Sequence, residues 1–118
     1  MKTDINQNKK EIINDLPQVI ADLIKAQNNF DSSAYADCFS ETAVVFDEGK
    51  THNGKIEIKN WIAKANQDYQ ATMNPIEYAE TTQILKAETS GNFPGSPIVL
   101  QYHLEINNGY IQSLKITG

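Results

Sequence analysis

The clearest chemical potential in this chain lies in the stretch Ala43–Gly54, AVVFDEGKTHNG. A short apolar run ends at Asp47 and Glu48, Gly49 and Gly54 bracket a polar loop carrying His52, and a helical pattern follows at once. A carboxylate at the end of a buried strand forms a natural wall for a small-molecule site. In apolar surroundings its pKa rises toward the range where it can take and return a proton near neutrality. The same aspartate could instead accept backbone N–H bonds from the turn that follows it. Both readings of Asp47 stand on the sequence. Glu48, next along the strand, points the other way and reads as solvated. His52, between Thr51 and Asn53, is either an exposed loop histidine or part of a flap over a cavity mouth.

Other chemistries find no footing. There is no Ser/His/Asp order, phosphate loop or Cys/His group with zinc spacing, so neither a metal nor a cofactor is expected. Cys38 is the single cysteine and sits in an apolar helical pattern, where it reads as a small buried hydrophobe. A net charge of −5, with Lys9–Lys10 as the only adjacent basic pair, excludes a nucleic-acid surface. No apolar run nears the roughly 18 residues that span a membrane. The start, MKTDINQNKK, lacks the apolar core of a signal peptide, and the expected compartment is the reducing cytoplasm.

Several elements must position these residues. Residues 1–10 are polar and read as a flexible tail, leaving 11–118 as one domain. Asp15 with Gln18 reads as a capping box for a first helix, with Pro17 in its first turn and Leu16, Val19, Ile20, Leu23 and Ile24 on its apolar face; Ile12 and Ile13 form a separate turn. Asp31 caps a second helix carrying Tyr35, Cys38 and Phe39. The strand Ala43–Asp47 follows, then a third amphipathic helix with Ile58, Trp61, Ile62, Ala65 and Tyr69, ending in a turn at Asn74–Pro75. Ile76–Thr89 reads as one long strand. In Ile98–Ile106, Leu100, Tyr102 and Leu104 share a face opposite His103 and Glu105, and Asn108–Gly109 is a strong hairpin turn into the last strand. Helices followed by an antiparallel meander imply an α+β domain whose curved sheet wraps three helices and leaves a cavity.

Residues 24–31 (IKAQNNFD), 39–47 (FSETAVVFD), Gly54 with the Ile58–Trp61–Ile62 helix, and the closing strands 97–106 and 109–116 resemble the nuclear transport factor 2-like superfamily. Within it the chain is similar to the SnoaL-like group, alongside polyketide cyclases and ketosteroid isomerases. The resemblance implies a cone-shaped, cystatin-like α+β barrel with a deep apolar pocket, and a homodimer through the outer sheet face. It places Asp47 where ketosteroid isomerases carry their general base. The position of the family's oxyanion-hole tyrosine falls on Leu23, and that of its protonated aspartic acid falls near Tyr102, whose phenol can donate instead.

The expected function is binding of a small apolar molecule with proton transfer on a carbonyl compound, of isomerase, cyclase or dehydratase type. Asp47 would be the base and Tyr102 the hydrogen-bond donor. Trp61, Tyr35, Leu23, Leu100, Ile62 and His52 would contact the ligand. The alternative is a non-catalytic ligand-binding or dimeric interaction domain.

Overall fold

The computed structural model describes residues 16–118. The readings of residues 1–10 as a tail, of Ile12–Ile13 as a turn and of Asp15 as a cap lie outside the described residues. From Gln18 the chain forms α1 (Gln18–Asn28), α2 (Ser32–Asp37), β1 (Phe39–Asp47), β2 (Lys50–Asn53), α3 (Gly54–Tyr69), β3 (Thr72–Ala79), β4 (Ile84–Ser90), β5 (Ile98–Asn107) and β6 (Tyr110–Thr117). The strands make one curved sheet in the order β2-β1-β6-β5-β4-β3, with β1 and β6 parallel and every other pair antiparallel. The helices pack on its concave side, giving the α+β architecture anticipated from the element order. No helix of the described residues is long and apolar enough to cross a membrane.

Local chemistry accounts for the element ends. Asp31 caps α2, its carboxylate accepting from the Ala34 N–H at 3.0 Å. Helix α2 stops at Asp37, and Phe39 already belongs to β1. Helix α3 closes on Gln70, which adopts a left-handed conformation (φ 48°, ψ 46°). The exit is therefore at Gln70, and Asn74–Pro75 lies inside β3. Proline is tolerated there because β3 is an edge strand and its register shifts between Pro75 and Glu77.

Two hairpins replace features the sequence presents as simpler. The polar loop after Asp47 is the short strand β2, paired with β1 across a tight Glu48–Gly49 turn in which both residues have positive φ. The single strand expected over Ile76–Thr89 is β3 and β4, joined through a turn at 80–83. Asn108–Gly109 makes the expected turn between β5 and β6, again with both φ positive.

Strand alternation divides inside from outside. In β1, Ala43 and Val45 are buried and Asp47 follows on the same inward face, while Val44 and Phe46 face out. In β5, Leu100, Tyr102 and Leu104 face in. The core gathers Ile20, Leu23, Phe39, Val45, Ile58, Leu85, Leu104, Ile111 and Leu114. Cys38 joins it as a buried thiol donating to the Ala34 carbonyl, and burial pushes its pKa up to about 11, which removes it as a nucleophile.

The connection from β4 to β5 is tied to the end of α3. Asn92 N–H donates to the Tyr69 carbonyl at 2.7 Å, and the Ser96 hydroxyl accepts from Gly91 N–H at 2.9 Å. A Cβ at Gly91 would lie 2.7 Å from the Tyr69 carbonyl oxygen and 3.0 Å from the Ala71 Cα, neither of which can yield as a side chain would. Gly91→Ala is accordingly expected to destabilise the fold by about 1–3 kcal/mol, as other overpacked sites do. Urea denaturation of the two proteins measures it.

Candidate functional site

The inward residues of the sheet are of two kinds along its length. Toward the β5–β6 turn they are closely packed aliphatics and aromatics, Phe39, Leu85, Leu104, Ile111 and Leu114. Toward the other end the inward positions are Asp47, Thr89, Leu100, Tyr102 and Ile116, and there the sheet and α3 part to leave a cavity of about 770 Å³. Helix α3 supplies Trp61, Ile62, Ala65, Asn66 and Tyr69 to its wall, and the β4–β5 connection supplies Phe93 and Pro94. Charged Glu48, Lys50, Lys64 and Asp68, all exposed, complete it on the solvent side. The space is large enough for a drug-sized molecule and has the mixture of apolar wall and few polar groups typical of such sites.

Asp47 is the titratable group this geometry perturbs most usefully. Burial, reinforced by the nearby Glu48 carboxylate, raises its pKa from 3.8 to about 6. A hydrogen bond from the Glu48 backbone N–H and one from the Trp61 side chain pull in the opposite direction and hold the rise there. The aspartate lines the cavity, with the backbone N–H of the following turn beside its carboxylate.

Aromatic rings surround that carboxylate. Tyr35 meets Trp61 edge-on at 6.1 Å between ring centroids and Phe39 at 5.6 Å. His52, in β2 opposite Val45, stacks on Trp61 at 5.3 Å with 27° between the planes. The Tyr102 hydroxyl lies 3.0 Å from Thr89 Oγ1. Burial raises the Tyr102 and Tyr35 phenols above their ordinary pKa; Asp47 adds to both, and Tyr102 to Tyr35. Both phenols are thus neutral O–H groups at neutral pH, able to donate a hydrogen bond.

Seven of the eight residues singled out in the sequence line this one cavity: Asp47, Tyr102, Trp61, Tyr35, Leu100, Ile62 and His52. Leu23 does not. It is fully buried in the closed end of the sheet with Ile20 and Leu114, and works as core. The resemblance placed it at a tyrosine position of the family, and the aliphatic side chain that stands there turns into the packed core instead.

Sequence reasoning missed a polar pair at the inner wall. Gln27 Nε2 donates to the Ala71 carbonyl at 2.6 Å and to Asn66 Oδ1 at 3.2 Å. Both side chains line the cavity and both are buried. A signal for Asn66 existed: it continues the four-residue row of Ile58 and Ile62 on the buried face of α3. The adjacent Asn28 amide grips Met73, donating to its carbonyl at 3.1 Å and accepting its N–H at 2.8 Å, so α1 is fastened to edge strand β3 next to the pair.

The chain resembles several solved structures. A candidate polyketide cyclase from Sinorhizobium meliloti is 33% identical, with 89% of this chain and 98% of that one covered and a TM-score of 0.83. A protein with a ketosteroid isomerase-like fold from Catenulispora acidiphila, solved with trimethylamine, is 17% identical over 86% of this chain and 85% of that one, at a TM-score of 0.76. A nuclear transport factor 2-like protein from Cytophaga hutchinsonii is 16% identical over 84% and 85%, at a TM-score of 0.68. No protein-family model and no curated protein sequence matches the chain.

The raised Asp47 pKa has a consequence for stability. Between pH 3.8 and about 6 the unfolded chain has already lost this proton while the folded chain keeps it. Folding is therefore progressively penalised as pH rises through that window, and the penalty is complete above it. Asp47→Asn removes the ionisation. The variant is expected to match the parent's Tm at pH 3.5 and to exceed it by a few degrees at pH 7.5, as read by thermal unfolding at the two pH values.

Proposed function

The chain belongs to the SnoaL-like group of the nuclear transport factor 2-like superfamily, and from that premise we propose that it binds a small apolar carbonyl compound in its cavity and moves a proton on it through Asp47. The observation that carries the reading is a half-buried carboxylate whose pKa lies near 6, set in a wall of aromatic rings. Such a group is ionised at neutral pH yet basic enough to accept a proton from carbon beside a carbonyl.

The steps follow from the neighbouring groups. Above pH 6 the Asp47 carboxylate takes the α-proton; the C–H pair becomes the C=C bond of the enolate, and the carbonyl π pair moves onto the oxygen. Thr89 can donate to the Tyr102 oxygen, which leaves the phenol proton for the enolate. Return of the proton to another carbon of the enolate isomerises the compound; where the enolate carbon bonds to a second carbonyl carbon, that carbonyl's oxygen takes the proton and a ring closes; where the enolate expels a β-leaving group, the leaving group takes it. Trp61 stands beside the carboxylate and favours its ionised form, and His52 stacked on the indole closes the edge of the site. A carboxylate that shuttles a proton in this way needs no cofactor.

The same reading places a second copy of the chain on the outer face of the sheet. Phe46 and Val99 stand 42% and 49% exposed there, and His103 is tied to Thr117 at 2.9 Å. A dimer mass is expected in sedimentation at micromolar concentration; a monomer mass would remove this part.

Proton transfer is measurable without knowing the product. In D2O, NMR of 2-tetralone with the protein is expected to show accelerated deuterium uptake beside the carbonyl. The rate should climb through pH 6 as Asp47 ionises and fall about 10²- to 10⁴-fold in Asp47→Asn. Binding of the ketone with no acceleration would leave a non-catalytic binder. Neither binding nor exchange across a panel of apolar ketones would reject the carbonyl reading altogether.

A further inference from the structure

Two rows of side chains line the cavity along its length. On α3, Trp61, Ala65 and Tyr69 recur at four-residue spacing and so share one face, with Tyr69 about 12 Å along the axis from Trp61. On β5, the inward positions Tyr102, Leu100 and Ile98 cover about 13 Å along the strand. Both rows begin at the reacting end, where Trp61 and Tyr102 neighbour Asp47. Both end at solvent, where Tyr69 and Ile98 are each 38% exposed. The β4–β5 connection borders that end with Phe93, whose ring meets Tyr69 edge-on at 6.3 Å between centroids. Backbone fixes this pair. Asn92 N–H donates to the Tyr69 carbonyl at 2.7 Å, and the Phe93 ring edge lies 3.0 Å from where a side chain at Gly91 would begin.

We propose that Tyr69, Phe93 and Ile98 form a distal subsite that takes a second apolar group of the ligand, so that the protein selects elongated carbonyl compounds over compact ones. The proposal rests on the reading of this cavity as a ligand site. Ala65, small between two aromatic neighbours on the α3 row, leaves a trough that runs from the reacting end to this rim. A compact ketone at Asp47 and Tyr102 leaves the three rim side chains wet. An aryl group carried opposite the carbonyl reaches them and removes their apolar surface from water. Because backbone bonds already hold the two rings, little ordering is lost when that group docks. The charged residues that α3 adds to the lining, Lys64 and Asp68, are paired with each other at 3.1 Å, so a charged tail gains no partner from them.

2-Tetralone and its 6-phenyl derivative present the same ketone to Asp47 and Tyr102 and differ only at the far end, which makes them the probes for this subsite. By isothermal titration the parent protein is expected to bind the phenyl compound about tenfold tighter, the gain from covering a ring with apolar side chains. Phe93→Ala and Tyr69→Leu should each pull the ratio of the two affinities down toward one. In the parent, nuclear Overhauser contacts should join the added phenyl protons to the Phe93 and Tyr69 rings; this readout serves even if a variant fails to fold. A phenyl preference that survives both substitutions, or the absence of those contacts, would overturn the proposal. Equal or weaker binding of the phenyl compound by the parent would remove the subsite and leave the cavity reading standing. Failure of both ketones to bind would remove the cavity reading and the subsite with it.

Discussion

The concave side of the sheet encloses more volume than the helices can fill, and the rest of the structure follows from that mismatch. Six strands curve around two short helices and α3. Away from the cavity Ile20, Leu23, Phe39 and Leu114 are buried together in the core. At the other end the strands continue past the last packed layer, and their inward residues face a space. Strand alternation then has a chemical effect. Whatever stands two residues beyond a buried position comes to line the cavity, and two residues beyond Val45 stands Asp47. The same continuation carries β5 back from Leu104 through Tyr102 to Leu100, and β6 forward from Leu114 to Ile116.

Much of this was legible in the chain because faces are set by local period. The alternation in β5, the positive-φ pair Asn108–Gly109 and the cap at Asp31 each rest on the residues involved and little else. Features that depend on distant partners were not legible. The turn at Glu48–Gly49 needs a left-handed glutamate, which sequence alone gives little reason to expect. It is imposed by the pairing of Lys50 with Asp47 and Thr51 with Phe46. Pro75 inside a strand becomes acceptable only once β3 is known to lie at the sheet edge.

The site divides in the same way. Asp47 announced itself by ending an apolar run, and Tyr102 by sharing a face with aliphatics. Leu23 was misplaced because the resemblance carried a tyrosine position onto an aliphatic side chain, and an aliphatic there packs into the core. Gln27 escaped for the opposite reason. A lone amide in an amphipathic helix reads as solvent-facing, and its burial depends on a carbonyl 44 residues away in the chain, that of Ala71. Polar groups of that kind become visible only when the contacts across elements are known.

The two polar points of the cavity are poised by different physics. Asp47 is placed by competition: burial and the Glu48 carboxylate push its proton on, while the Glu48 N–H and Trp61 push it off. A change on either side moves its pKa, and the group is tunable by its surroundings. Asn66 is placed by exclusion. Each hydrogen bond in the chain from Ala71 through Gln27 has one permitted direction, and the last donor has nowhere in the protein to go. Desolvation is what gives both groups their strength: it makes the carboxylate basic and the unpaired amide demanding. Since the curved sheet and the helices against it supply that desolvation, the state of both groups follows from how far the helices fill the concave side.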